Sequence, residues 1–231
     1  MRPTHKGALA AVAAAMLAAV TAAPASARII EIGRTALVNP PSCPANPCQA
    51  VSRTTGYQAK VGTRRGLMRV PADGQIVAWT ITLGDPTRRQ IRYFDKNYGG
   101  ASRAGITLLE PVPRPRSTLF GRVAGQSPLQ NLEPYFGTTV QFPLERTLTV
   151  RKGYLIALTV PSWAPALALG MGTDTSWRAS RARDACQQPG RQSSQLALRD
   201  LAQYHCLYQT ARLTYTATLI TAPRPPKRPR R

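Results

Sequence analysis

Five side chains have the chemistry to hold a ligand if they lie on the protein surface. They are Tyr93, Tyr98, Trp163, Trp177 and Arg178. An exposed aromatic ring stacks on the apolar face of a sugar, and an arginine beside a ring packs over its face. Trp163 stands between Pro161 and Pro165, which is typical of a loop. The alternative is that these rings pack against the ends of the fold, as we expect for Trp79 in the core.

Residue types suited to catalysis are scarce. The chain has two histidines, and only His205 follows the N-terminal segment described below. We interpret His205, which precedes Cys206, as a structural imidazole, and no serine has the sequence surroundings of a hydrolase nucleophile. Glu133 and Glu145 leave one alternative open, a glycoside hydrolase with paired carboxylates. We expect no catalytic residue.

Metal ligands are equally few. Asp95 and Asn97 are oxygen ligands of the kind that calcium prefers, but two are too few and the surrounding charge is positive. We therefore expect neither a metal site nor a cofactor.

Four cysteines predict two disulfide bonds, because thiols pair in oxidising compartments. We favour the two local pairings, Cys43 with Cys48 and Cys186 with Cys206, over those that join distant segments. A zinc site built from all four cysteines is the alternative, although their spacings do not form two C-x-x-C pairs. A redox-active pair of Cys43 and Cys48 is a further alternative.

The chain is strongly basic, with 31 Lys and Arg, 10 Asp and Glu, and a formal net charge of +21. Residues 222–231 are rich in proline and arginine, so we expect a disordered tail. A positive field attracts polyanions. We expect contact with an anionic cell-wall polymer or polysaccharide, without specific recognition of nucleic acid. The tail cations that would make this contact are Arg224, Lys227, Arg228, Arg230 and Arg231.

Residues 1–27 have the pattern of a cleaved signal peptide. Arg2 and Lys6 precede an apolar run over Ala8–Val20, and small residues follow at Ala25–Ala27. The run is short and rich in alanine, which argues against a membrane anchor. Loss of Arg2 and Lys6 lowers the formal charge from +21 to +19. We expect a secreted chain that begins at Arg28 and associates with the cell wall.

Alternating apolar and polar residues predict β-strands along residues 28–221. The clearest alternation runs from Ala211 to Leu219, and others cover Val77–Leu83 and Tyr154–Val160. Shorter candidates are Ile29–Ile32, Arg89–Phe94, Leu119–Val123 and Thr175–Ala179. Short strands separated by glycine and proline predict one all-β domain, an antiparallel two-sheet sandwich.

Other segments depart from this pattern. Pro111–Arg116 is expected to be a stiff loop, and Ser193–Gln203 contains the one helix-like stretch. The pairs Arg64–Arg65 and Arg88–Arg89 are interpreted as solvated charges in turns.

The chain from Val70 to Val160 resembles a group of exported proteins. The residues concerned are Gly74–Trp79, Ile106–Pro111, Val123–Ser127, Phe142–Pro143 and Leu148–Leu158. They are similar to uncharacterised β-sandwich proteins of GC-rich Gram-positive, actinobacterial-type bacteria. An Asp follows the glycine of the last motif in many such sequences, where this chain has Tyr154. The resemblance implies a jelly-roll-like fold but no activity.

These observations predict a secreted, non-catalytic β-sandwich that associates with anionic or glycan components of the cell envelope. An extracellular glycan-processing enzyme and a purely structural accessory domain remain as alternatives.

Overall fold

A computed structural model describes residues 27–36, 39–114, 117–187 and 193–223. The expected signal peptide lies outside these ranges, apart from Ala27. So does most of the expected tail, with its five cations Arg224, Lys227, Arg228, Arg230 and Arg231. No helix within the described ranges is both long and apolar enough to cross a membrane.

The described residues form fifteen β-strands, one α-helix and two short 3₁₀ turns. The strands are β1 (Ile29–Ile32), β2 (Val51–Val61), β3 (Arg64–Arg65), β4 (Gly74–Thr82), β5 (Arg103–Arg114), β6 (Ser117–Gln126), β7 (Gln130–Asn131), β8 (Thr139–Val150), β9 (Leu155–Ala164), β10 (Leu167–Ala168), β11 (Ser176–Ala179), β12 (Leu201–Gln203), β13 (Cys206–Gln209), β14 (Arg212–Leu213) and β15 (Tyr215–Thr221). The helix α1 is Arg88–Tyr98, and the turns are Glu133–Tyr135 and Arg183–Ala185.

Two antiparallel sheets make the fold. The smaller has the strand order β1-β15-β4-β8, and the larger has the order β12-β6-β5-β9-β2-β11-β13, with β3 beside β2 and β7 beside β5. Strands β10 and β14 form a separate two-stranded ribbon. The expected all-β, antiparallel two-sheet sandwich is therefore confirmed.

The core lies between the sheets and follows from the alternation along each strand. From the smaller sheet it takes Trp79, Ile81 and Leu219, and from the larger sheet Ile106 and Leu158, all at most 1% exposed. Outward positions on β15 carry half-buried threonines. Each strand thus presents an apolar face to the other sheet, which is the arrangement that removes most apolar surface from water.

A bulge in β4 changes the alternation that the sequence predicted there. The pairing with β8 shifts between Ile76 and Ala78, and that with β15 shifts between Thr218 and Leu219. The bulge displaces Val77 to a half-buried position, while Ile76 joins the core. One extra residue in a strand reverses the facing of every residue beyond it.

Residues 111–114 of the proline-rich segment belong to β5 and not to the expected stiff loop, and residues 115 and 116 lie outside the described ranges. Pro111 and Val112 lie in β5 and pair with Gly121 and Phe120 of β6. The pairing of β5 with β9 stops at Leu109, so one side of β5 has no partner strand there within the described residues. Proline is tolerated at that position because it needs to donate no hydrogen bond.

The prediction of a helix-like stretch at Ser193–Gln203 is wrong. Residues 193–196 have no regular secondary structure, a turn follows at residues 197–199, and Leu201–Gln203 pair with β6. Gln195 explains the difference, because its backbone N–H donates to the Thr55 hydroxyl at 2.9 Å and its carbonyl accepts from Gln126 at 2.7 Å. The segment therefore covers polar groups on the outer face of the larger sheet.

Both local disulfide bonds are confirmed, Cys43 with Cys48 and Cys186 with Cys206. The described chain has no free cysteine. The second bond closes the segment that covers the larger sheet. Disulfide bonds are typical of proteins in an oxidising compartment.

Candidate functional site

Trp163 is a buried anchor and not the expected sugar platform. Its side chain is 0% exposed, and its indole N–H donates to the Asp95 carboxylate at 2.8 Å and to the Gly100 carbonyl at 3.0 Å. The ring packs on Phe94 and Phe136, with centroids 4.8 and 5.5 Å away. Asp95 is accordingly a hydrogen-bond acceptor for the indole.

Trp163 anchors helix α1, and the short strand predicted at Arg89–Phe94 is therefore wrong. The helix has a capping box: the Thr87 hydroxyl accepts from the Gln90 N–H at 3.3 Å, and the Gln90 side chain accepts from the Thr87 N–H at 2.8 Å. It ends at Gly99, whose φ is 96°. The Thr-x-x-Gln spacing and the terminal glycine were the missed signals.

The inner side of α1 is held by a small apolar cluster. Phe94 is 5% exposed and packs with Trp163 and Cys43, while Ile91 and Tyr98 lie at the edge. The Gln90 amide also donates to the carbonyl of Pro44, inside the first disulfide loop, at 3.1 Å. The helix therefore has a defined orientation, set by Trp163 and by the first disulfide.

The outer side of α1 presents four exposed cations, which we call the cationic face. They are Arg88, Arg89, Arg92 and Lys96. None of the four makes an ion pair within the described part of the chain. Tyr93, 56% exposed, lies among them. Arg88 and Arg89 belong to this helix and not, as expected, to a turn.

Tyr93 and Tyr98 differ in their surroundings. Tyr93 is the exposed one and is available for stacking. Tyr98 is half-buried, has Arg53 over its ring at 5.8 Å, and contacts Phe94. Burial raises the pKa of Tyr98. Of the two expected ligand residues on the helix, Tyr93 is the better placed.

Trp177 and Arg178 are also less available than expected. Trp177 is 5% exposed, and its ring stacks on Tyr208 with centroids 4.7 Å apart. The guanidinium of Arg178 donates to the carbonyls of Tyr204 and His205 at 3.2 and 3.0 Å. These contacts close the second disulfide loop against β11, so neither side chain forms an exposed platform.

The outer face of the smaller sheet is rich in hydroxyl groups, and we call it the threonine face. It comprises Thr80, Thr82, Thr139, Gln141, Thr214, Thr216 and Thr218. The Glu31 carboxylate accepts hydrogen bonds from Thr216 and from Thr218, the latter at 2.8 Å. Most of these residues line a groove of about 570 Å³. The signal for this face in the sequence is the run of alternating threonines in β15.

The catalytic candidates do not form a recognisable site. Glu133 and Glu145 are both exposed. The Ser162 hydroxyl donates to the Ala101 carbonyl at 2.7 Å, and that of Ser180 to the Ser193 carbonyl at 2.9 Å. His205 is half-buried, and its backbone N–H donates to the backbone carbonyl of Arg181 at 3.1 Å. Within the described ranges no three His, Cys, Asp or Glu side chains cluster as metal ligands would.

Comparison of the chain with protein-family models, with curated protein sequences and with solved structures finds no match. The resemblance to exported β-sandwich proteins of actinobacterial type stays a prediction.

Proposed function

We propose that this protein is a secreted, non-catalytic binding protein that associates with anionic polymers of the cell envelope through the cationic face of α1. The observation that carries the proposal is the exposure of Arg88, Arg89, Arg92 and Lys96 on one helix that Trp163 holds in place. The formal charge of +21 and the two disulfide bonds support binding to an anion in an oxidising compartment.

The cationic face works against the stability of its own helix. Arg88 and Arg89 lie in the first turn, which contains no acidic residue, and positive charge is unfavourable at the positive end of the helix dipole. Arg88, Arg92 and Lys96 are four residues apart, where like charges repel. The one acidic residue of the helix, Asp95, binds the Trp163 indole. An external polyanion would neutralise this repulsion.

Retention on purified cell wall across a salt series tests the proposal. The variant R88Q/R89Q/R92Q/K96Q should lose most of its retention at low salt, because many weak contacts add up and each neutralised cation removes one. Added salt should release the wild-type protein. Deletion of residues 223–231 should weaken retention further, as expected from the sequence of the tail.

The matched control is R64Q/R65Q/R151Q/K152Q, which removes the same four charges from other exposed positions. This control should keep most of the retention. Equal losses in the two variants would show that net charge alone attracts the polymer and would contradict a role for the helix. No retention of the wild-type protein at low salt would overturn the whole proposal.

The threonine face favours a second candidate, binding of a neutral glycan. Hydroxyl, amide and carboxylate groups lie side by side there, as at Gln141, which donates to Thr80 and Thr218 at 3.4 Å in both cases. Such groups exchange hydrogen bonds with sugar hydroxyls. Retention through this face should survive salt and fall in the variant Q141A/T216V, whereas the helix variant should leave it unchanged.

A further inference from the structure

A cavity of about 450 Å³ lies beside the second disulfide loop, on the larger sheet, and no residue of α1 lines it. Its lining includes Ser52, Trp177, Arg181 and Tyr208, with the exposed amides of Gln49 and Gln209 at the rim. None of these residues belongs to the cationic face or to the threonine face. The cavity is within the size range of sites that take a small organic ligand.

Arg181 is a buried cation without an acidic partner. Its side chain is 8% exposed, and no carboxylate contacts it, although all ten acidic residues of the chain lie in the described ranges. A guanidinium has five N–H donors. Two of them have acceptors here: one donates to the Tyr208 hydroxyl and one to the Ser52 carbonyl at 3.4 Å. The Nε–H has no acceptor.

Trp177, which also lines the cavity, has a second donor without an acceptor. The indole N–H of Trp177 is buried and has no hydrogen-bond partner among the described residues. A buried donor without an acceptor is destabilising, and a buried unpaired charge is more so. Burial lowers the pKa of Arg181, and Tyr208 opposes that shift. An anion bound in the cavity would balance the buried charge and accept hydrogen bonds from the unpaired donors.

The rim of the cavity carries a backbone conformation that is rare for its residue type. Thr210 has a φ of 57°, in the left-handed region that β-branched residues seldom adopt. Its N–H donates to the Thr175 carbonyl at 2.9 Å, and its carbonyl accepts from Met171 at 3.0 Å. Strain held in place by such contacts is concentrated at ligand sites.

We propose that this cavity binds a single acidic sugar unit, with its carboxylate or phosphate group at the guanidinium of Arg181. The free N–H groups of Arg181 suit a planar or tetrahedral oxyanion, because a guanidinium donates two parallel hydrogen bonds to such groups. The cavity has room for a sugar ring beside the anion, and the amides of Gln49 and Gln209 are at the rim to meet its hydroxyls. The site is independent of the cationic face.

Titration of the protein with glucuronate, glucose 6-phosphate and glucose at constant ionic strength tests this site. The readout is the NMR signal of the Trp177 indole N–H, which is assigned by its absence in W177F. At least one acidic sugar should shift this signal saturably, with one ligand per chain, and glucose should bind more weakly. The two acidic sugars distinguish a carboxylate site from a phosphate site.

The variant R181M should weaken binding by about tenfold or more, because a charge-assisted hydrogen bond is lost. R181K keeps the positive charge but not the planar guanidinium with its parallel N–H donors. Its affinity for the acidic sugar should lie between those of R181M and the wild type. The surface variant R89Q removes one charge elsewhere and should bind within about twofold of the wild type. Near-UV circular dichroism checks that each variant is folded. If R181M does not fold, the affinity of R181K decides whether Arg181 binds the sugar.

Three outcomes would overturn the site: no saturable shift with either acidic sugar, unchanged affinity in folded R181M or R181K, or binding of glucose as tight as that of the acidic sugars. The adsorption proposal is tested separately. The variant R88Q/R89Q/R92Q/K96Q should keep sugar binding, and R181M should keep its retention on cell wall.

Discussion

Trp163 and Trp177 are both buried, yet their surroundings differ in hydrogen bonding. The Trp163 indole N–H has two acceptors, Asp95 and Gly100, and the ring closes a fully packed cluster. The Trp177 indole N–H has none among the described residues, and its neighbour Arg181 is an unpaired cation beside a cavity. The satisfied indole of Trp163 favours a structural role, whereas the unsatisfied donors beside the cavity support the sugar site proposed above.

Replacement of each tryptophan by phenylalanine gives the largest expected contrast. Both replacements leave a cavity where part of the indole ring was, so each should lower the free energy of unfolding. W163F should lower it by about 2–3 kcal/mol more than W177F does, because only there does a carboxylate lose its donor, whereas the Trp177 N–H has no acceptor. Urea unfolding measures both, and equal losses would contradict the distinction.

A methyl group at Gly56 should disturb the packing around Trp177. The added Cβ would lie 2.9 Å from a ring carbon of Trp177 and 3.1 Å from the Arg178 carbonyl, so G56A should be less stable by about 1–3 kcal/mol. The matching variant in the region of Trp163 is G99A, at the end of α1, where nothing lies within 4 Å of the added Cβ. Only the strained backbone contributes there, so G99A should lower the free energy of unfolding by about 1 kcal/mol.

Replacement of the two arginines near Trp177 should affect the free energy of unfolding differently. R178M should lower the free energy of unfolding by about 1–2 kcal/mol, because two carbonyls lose their donor. R181M, measured without ligand, should leave it unchanged or raise it by about 1 kcal/mol, since an apolar side chain replaces an unpaired buried charge. A loss in R181M as large as that in R178M would show that Arg181 has a structural role.

The smallest effect is expected at the start of α1, in the region of Trp163. R89E places a negative charge in the first helical turn and should raise the free energy of unfolding by about 0.3–1 kcal/mol. The same change should weaken retention on cell wall. Thermal unfolding at low salt measures the first effect, and a loss of stability there would contradict the argument that the cationic face destabilises its helix.

Much of the fold was predictable because its signals are local. Alternation along β15 indicated which side chains face the core, and the short spacing of Cys43 and Cys48 indicated their pairing. Helix α1 also has a local signal, the Thr87–Gln90 capping box, although the pattern at Arg89–Phe94 predicted a short strand. The bulge at Val77 could not be predicted from the sequence, because it depends on how β4 pairs with β8 and β15.

The candidate sites were predictable only in part. The sequence identified Trp163, Trp177, Arg178, Tyr93 and Tyr98 as possible ligand residues, and of these Tyr93 alone is well exposed. Arg181 was the more informative residue near Trp177, yet nothing in its neighbours along the chain distinguishes it from other arginines. Its burial results from Ser52 and Tyr208, which are distant in sequence.

The sequence by itself determined the strand pattern, the two disulfide bonds, the excess of positive charge and the pattern of an exported chain, because each of these depends on residue type and short spacing. The tertiary structure alone decided which aromatic rings are buried, which cations share a surface and which donors lack an acceptor. Burial and hydrogen bonding depend on residues brought together from distant strands, and that is why the cavity beside Trp177 has no signature in the chain.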